Sequence, residues 1–197
     1  DFRAGLETLR KEFLDSGPGV SSVGLDDGVE MMAEYKKRLN KLGQQKLELI
    51  NAQNLFNLDV KPYPLLQDTM IDMEKLNKIY SLYVEFRDFQ ENMATTMWSE
   101  LDMAVLTQGA EDFEKKAKRF PKDLKEIYTF KTVEHVLSSF KESLPLVVAL
   151  KNDAMKTRHW VKIQQLTGVT FDTTLKTLSL GDIFAMNLSN FTADVEE

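Results

Sequence analysis

The sequence predicts an all-α fold, an elongated multi-helix bundle with long antiparallel helices, and three observations carry that prediction. Only nine Gly and five Pro occur in 197 residues, gathered at a few points, and the long stretches between them suit helices better than strands. Within those stretches apolar residues recur at alternating steps of three and four, the spacing of one helix face. The longest stretch carries two such stripes, as a helix buried on more than one side must.

The first helix is expected over Phe2 to Leu14, ending at a flexible loop, Ser16-Gly17-Pro18-Gly19-Val20-Ser21-Ser22. Asp27, with Glu30 three residues on, has the pattern of a capping box and opens the second helix, which runs to about Phe56. Met32, Tyr35, Leu39, Leu42 and Leu49 form its stripe, broken once by Lys46, and Gly43 costs it roughly 1 kcal/mol relative to Ala. Pro62 and Pro64 then withhold backbone donors and push their predecessors to extended geometry. From Met70 to Leu106 neither Pro nor Gly occurs, which predicts a third helix about 55 Å long at 1.5 Å per residue. One stripe reads Met73, Leu76, Tyr80, Tyr83, Ala94, Met97, Leu101, Ala104, interrupted by Arg87 and Gln90, and another Ile79, Leu82, Phe86, Phe89, Met93.

Gly109 reads as a break before a charged helix over Glu111 to Arg119, and Pro121 opens a short helical turn. Thr132 to Asn152 is a further apolar helix that Pro145 is expected to kink or split. A helix over Ala154 to Leu166 follows, with Gly168 at its C′ position. Val169 to Leu178, Thr-rich and β-branched, suggests a short hairpin, and Ser179 with Asp182 caps a last helix through Leu188. Neither the Pro62-Tyr63-Pro64 turn nor the Gly109 break reads as a domain linker.

Composition excludes several classes of function. Lys plus Arg number 25 against 31 Asp plus Glu, a net charge of −6, whereas nucleic acid and anionic lipid both call for a concentrated basic surface. No apolar run approaches the length of a membrane span, and the start carries no signal-peptide pattern. The Gly17 to Gly24 stretch lacks the Lys of a phosphate-binding loop. Zinc would need clustered ligands, but there is no Cys, and His135 and His159 lie far apart in the sequence. Asp26/Asp27 and Glu196/Glu197 read as helix-start charges, and Lys36-Lys37-Arg38 and Lys115-Lys116 as solvated faces. Asn187-Leu188-Ser189 and Asn190-Phe191-Thr192 match the glycosylation sequon without further support. No catalytic, cofactor-binding or metal-ligating residue is expected, and no cofactor. The lack of an initiator Met and the final Val195-Glu196-Glu197 make both ends read as cut from something longer.

One block is more specific. Ser143-Leu144-Pro145-Leu146-Val147-Val148-Ala149-Leu150-Lys151-Asn152-Asp153-Ala154-Met155-Lys156-Thr157-Arg158-His159-Trp160, then Ile163, Leu166-Thr167-Gly168 and Phe171, resembles a signature of dynein heavy chains. Leu178, Leu180, Ile183 and Met186-Asn187-Leu188 continue it downstream. Upstream, Ala52-Gln53-Asn54-Leu55-Phe56-Asn57-Leu58, Tyr63-Pro64, Leu66, Ile79-Tyr80-Ser81-Leu82-Tyr83 and Trp98-Ser99-Glu100-Leu101 are similar to the axonemal type, so the resemblance spans roughly Met32 to Leu188.

The resemblance implies a position before and into the linker, a curved helical rod that crosses the AAA+ ATPase ring and pulls the tail as the ring hydrolyses ATP. Residues 1–140 would be a helical bundle at the stem–linker junction, and residues 141–197 the start of the linker. The nucleotide sites would then lie in the ring, outside this chain, and the protein would belong to the cytoplasm and cytoskeleton, in the ciliary axoneme. The remainder of the heavy chain with its ring is the expected partner, with dynein intermediate or light chains as further candidates. Pro145, Arg158, His159, Trp160 and Gly168 are the expected signature and packing residues, the indole supplying buried area and the Arg or His a bridge between helices. Two other readings remain: a protein-binding bundle, for which the Met- and Tyr-rich third helix would serve, and a spectrin-like scaffold.

Overall fold

The computed structural model describes residues 2–186. Among these it contains eight α-helices, one 3₁₀ turn and no strand. The helices are α1 (Phe2–Ser16), α2 (Leu25–Leu55), α3 (Pro64–Ala94), α4 (Met103–Lys118), α5 (Lys122–Lys125), α6 (Tyr128–Leu150), α7 (Thr157–Thr167) and α8 (Leu180–Ala185). Two compact units divide them. The first gathers the described residues up to Val84 with Phe120–Val133, and the second Glu85–Arg119 with the described residues from Glu134 on. The all-α expectation holds.

In the first unit α1 and α3 run parallel, because contacts advance together along both. Phe2 stacks edge-on against Tyr63 at 5.0 Å, Arg10 pairs with Asp72 at 2.7 Å, and Tyr80 Oη donates to the Pro18 carbonyl at 2.6 Å. Helix α2 runs antiparallel to both, with Arg38 on Glu12 at 2.6 Å and Tyr83 Oη donating to Asp26 at 2.9 Å. The loop between α1 and α2, expected to be flexible from its composition, is instead pinned by the Tyr80 hydrogen bond and buries Gly17 and Pro18. Both stripes of α3 are buried here, through Met73, Leu76, Tyr80 and Tyr83 on one side and Ile79 and Leu82 on the other.

The second unit is built on aromatic side chains. Phe86 and Phe89 of α3 meet Phe113 of α4 and Phe140 of α6, with ring centroids between 5.3 and 6.3 Å apart. Phe184 of α8 closes on Phe140 at 5.6 Å. Gly109 lies inside α4, where a Cβ would fall 2.3 Å from the Phe89 ring. It is therefore a close-approach glycine and no helix break, which corrects the reading of it as a junction.

Other boundaries differ for identifiable reasons. The third helix stops at Ala94 and does not reach Leu106. Thr95 and Thr96 turn their hydroxyls back onto the Asn92 carbonyl, and Asp102 caps α4 by accepting from the Ala104 N–H at 2.8 Å. Between them Trp98 is drawn into the core as part of a 3₁₀ turn. Helix α2 begins after Gly24 with no side-chain cap, so the Asp27–Glu30 capping box does not form. Helix α6 runs unbroken through Pro145, which is exposed, on a side where water can satisfy the carbonyl that proline frees.

The hairpin expected at residues 169–178 is absent. Asp172 takes up the local donors, accepting from the N–H and hydroxyl of Thr174, while the Leu175 N–H donates to its carbonyl at 2.9 Å. Leu175 sits at φ 61°, a left-handed turn conformation that ends extended pairing. The Ser179–Asp182 capping box does form and opens α8. Leu188 and both sequons lie outside the described residues.

Candidate functional site

The sequence-predicted residues fall around the turn from α6 to α7, and the structure builds that turn from the backbone upward. Helix α6 ends at Leu150. Asn152 then accepts the Ala154 N–H at 2.9 Å, and the Met155 N–H returns to the Asn152 carbonyl at 3.0 Å. Lys156 is the N-cap of α7, and His159 Nδ1 accepts its N–H at 3.0 Å. Arg158 Nε lies 3.0 Å from the other ring nitrogen of His159. A neutral imidazole accepts at only one nitrogen, so the cap bond and the Arg contact compete for the same lone-pair state. Neither side chain bridges to another helix: Arg158 is exposed and His159 serves its own helix start.

Trp160 is the interior member of the block, 2% exposed. Its ring stands edge-on to Trp98 and to Phe171, both at 5.9 Å. Such contacts favour the positive ring edge against the negative face, about 0.5–1.5 kcal/mol beyond area burial. Lys151, the first residue after α6, donates to the Trp98 carbonyl, and its ammonium lies 5.1 Å from the Trp98 ring centroid. Trp98 is itself held by its N–H on the Leu178 carbonyl at 2.7 Å, and the Leu180 N–H bonds back to Thr96 at 3.0 Å. Gly168 ends α7 at φ 70°, where a side chain would be strained.

The arrangement therefore ties the 3₁₀ turn, the end of α6, the start of α7 and the segment entering α8 to one pair of indoles. The contact is dense and directional, with no reactive group at its centre. Pro145 lies on α6 away from this node and Gly168 beyond it, so the structure brings together Trp160 with residues outside the expected set, namely Trp98, Lys151 and Phe171. A signal for the first was available, since Trp98 and Trp160 are the only two tryptophans in the sequence. Lys151 and Phe171 stand in the block that resembles dynein heavy chains, but nothing local to either pointed to the indole pair.

Among the described residues no group of three or more His, Asp or Glu side chains is placed to hold a metal ion, and His135 is exposed on α6. No helix among them is long and apolar enough to cross a membrane.

Residues 66–197 match the family model described as dynein heavy chain, N-terminal region 2. The chain is similar to dynein axonemal heavy chain 10 of Homo sapiens, 32% identical over 197 residues, which is all of this chain and 4% of that protein. It is similar also to the dynein-1-alpha heavy chain of the flagellar inner arm I1 complex of Chlamydomonas reinhardtii, 32% identical over 195 residues, 99% of this chain and 4% of that one. Dynein axonemal heavy chain 5 of Rattus norvegicus is 25% identical over 195 residues, 98% of this chain and 6% of the relative. The chain thus spans a small fraction of the length of the proteins it matches.

Proposed function

Because the chain belongs to the dynein heavy chain family and matches its N-terminal region 2, we propose that it is a non-catalytic mechanical segment, linking the tail to the AAA+ ring and transmitting the power stroke in ciliary, microtubule-based movement. The names of its relatives, axonemal and flagellar, support a place in the cytoskeleton of the axoneme. On this reading residues 1–140 form the stem–linker junction and the linker proper begins near residue 141. The rest of the heavy chain is its obligate partner, with intermediate or light chains as further ones, and ATP is hydrolysed elsewhere.

The observation that carries the reading is the pair of indoles. Helix ends that must move as one are joined through Trp98 and Trp160, with Lys151 tying the end of α6 to the Trp98 backbone. Close packing of this kind passes a displacement on and does not absorb it. Lys151→Met keeps the aliphatic stem and removes the ammonium. In the assembled motor it is expected to lower microtubule gliding velocity several-fold while ATP turnover is unchanged. Equal loss of both, or no change in gliding, contradicts the lever role. The purified 197-residue chain is expected to turn over no ATP, and measurable turnover would overturn the non-catalytic reading.

A further inference from the structure

Helix α2 is buried for only part of its length. Its buried residues end at Leu39, and none of residues 40–55 is buried, although that half carries Leu42, Leu47, Leu49, Ile50 and Leu55. Leu55 and Phe56 are 77% and 70% exposed. A run of this kind left in water favours association, so a stable protein keeps it covered. Beside it a groove of about 450 Å³ opens between α2 and α3. Leu39, Leu66 and Met73 form its floor, and the half-exposed Met70 and Ile71 its α3 wall.

Charge defines what fits there. From Lys36 to Leu47 there are five basic residues and no acidic one. Arg38 is engaged by Glu12, but Lys36, Lys37, Lys41 and Lys46 form no ion pair with any described residue, in a chain that holds 31 carboxylates. Lys36 and Lys46 stand on the groove itself, and the one acid lining it, Glu74, is paired with Lys78 at 3.3 Å. In the same half of α2, Gln53 Oε1 is shielded from solvent and has no hydrogen-bond partner. A basic rim over an apolar floor is complementary to an amphipathic helix with acidic flanks.

We propose that this face is covered by an acidic amphipathic helix supplied by the same heavy chain from outside these 197 residues. Its relatives extend far beyond the matched span, the chain covering 4% of the first of them. A covering segment on the same polypeptide is present at high effective concentration whenever the protein is, which a permanently apolar face requires. The proposal rests on family membership and is independent of the lever role.

The test uses the full heavy chain with a photo-crosslinking benzoylphenylalanine at Met70, a half-exposed position outside the core, and the same group at exposed Ser81 as a control. Crosslinks from Met70 are expected within the same polypeptide, on a helix with apolar residues at steps of three and four flanked by Asp or Glu. Reversal of the rim, K36E with K46E, is expected to reduce the yield several-fold, and reversal of the acids on the captured helix to restore it. Capture of a separate polypeptide, capture of a basic or non-helical segment, indifference to charge reversal, or a yield no higher than at Ser81 would each overturn the proposal.

Discussion

Gly28 and Gly43 stand in the same helix, α2, and the same substitution is expected to move stability in opposite directions at the two. Ala at an exposed helical glycine gains up to about 1 kcal/mol through backbone entropy. At Gly43 nothing lies within 4 Å of the new Cβ, so Gly43→Ala should raise stability by that amount. At Gly28 the Cβ would fall 2.0 Å from Tyr80 Oη, a group buried and committed to the Pro18 carbonyl. Tyr80 cannot retreat without losing that bond, so overpacking of about 1–3 kcal/mol outweighs the helix gain. Urea unfolding of G28A and G43A measures both signs. Two stabilised variants would mean that Tyr80 is free to move. The ring that requires Gly28 comes from more than fifty residues away, beyond the reach of any local pattern.

Among the elements, the pairing of α4 with α6 has a charge that pH can test. Glu114 of α4 is engaged by Lys141 of α6 at 2.6 Å and by Lys118 on its own helix at 3.0 Å. Hydrogen bonds from these ammonium groups hold its carboxyl down to about 2 from an ordinary 4.5. A carboxylate whose folded pKa is depressed stabilises fully above the unfolded value and loses that contribution as pH falls through the folded one. The stabilisation should therefore fade between about pH 4.5 and pH 2. Lys141 is raised by the same partner, so its contribution is present below the ordinary lysine value and lost as pH climbs through the raised one. In urea titrations E114Q is expected to flatten the acid-side dependence in that window, and added salt to shrink the difference, since the groups are exposed. An unchanged acid limb would place the depression elsewhere. The sequence makes the α4 charges visible but not their partner.

Over the whole chain, burial predicts where the structure opens first. Local opening is easiest where few apolar contacts hold a segment, so amide exchange should be uneven within α2. In the isolated chain the amides of residues 44–55 are expected to exchange much faster than those of residues 29–39, where Met32, Tyr35 and Leu39 are buried. Hydrogen-exchange mass spectrometry resolves the two halves, and uniform protection along α2 would refute the account. The family match and the all-α architecture were both legible from residues: the first in the block from Leu144 to Trp160, the second in the stripes of α3.

What the sequence determined by itself was local and periodic. Helix identity, the Gly168 stop and the Ser179–Asp182 cap follow from side chains acting on backbone within a turn, and the stripes from the helical period. Tertiary structure decided the rest. It set the Phe89 ring against Gly109, paired Trp160 with Trp98 and closed Tyr80 on the Pro18 carbonyl. Each of these depends on which distant group arrives at a site. A ring pairing or glycine contact set by packing across the chain leaves no trace within the few residues that local propensity can read.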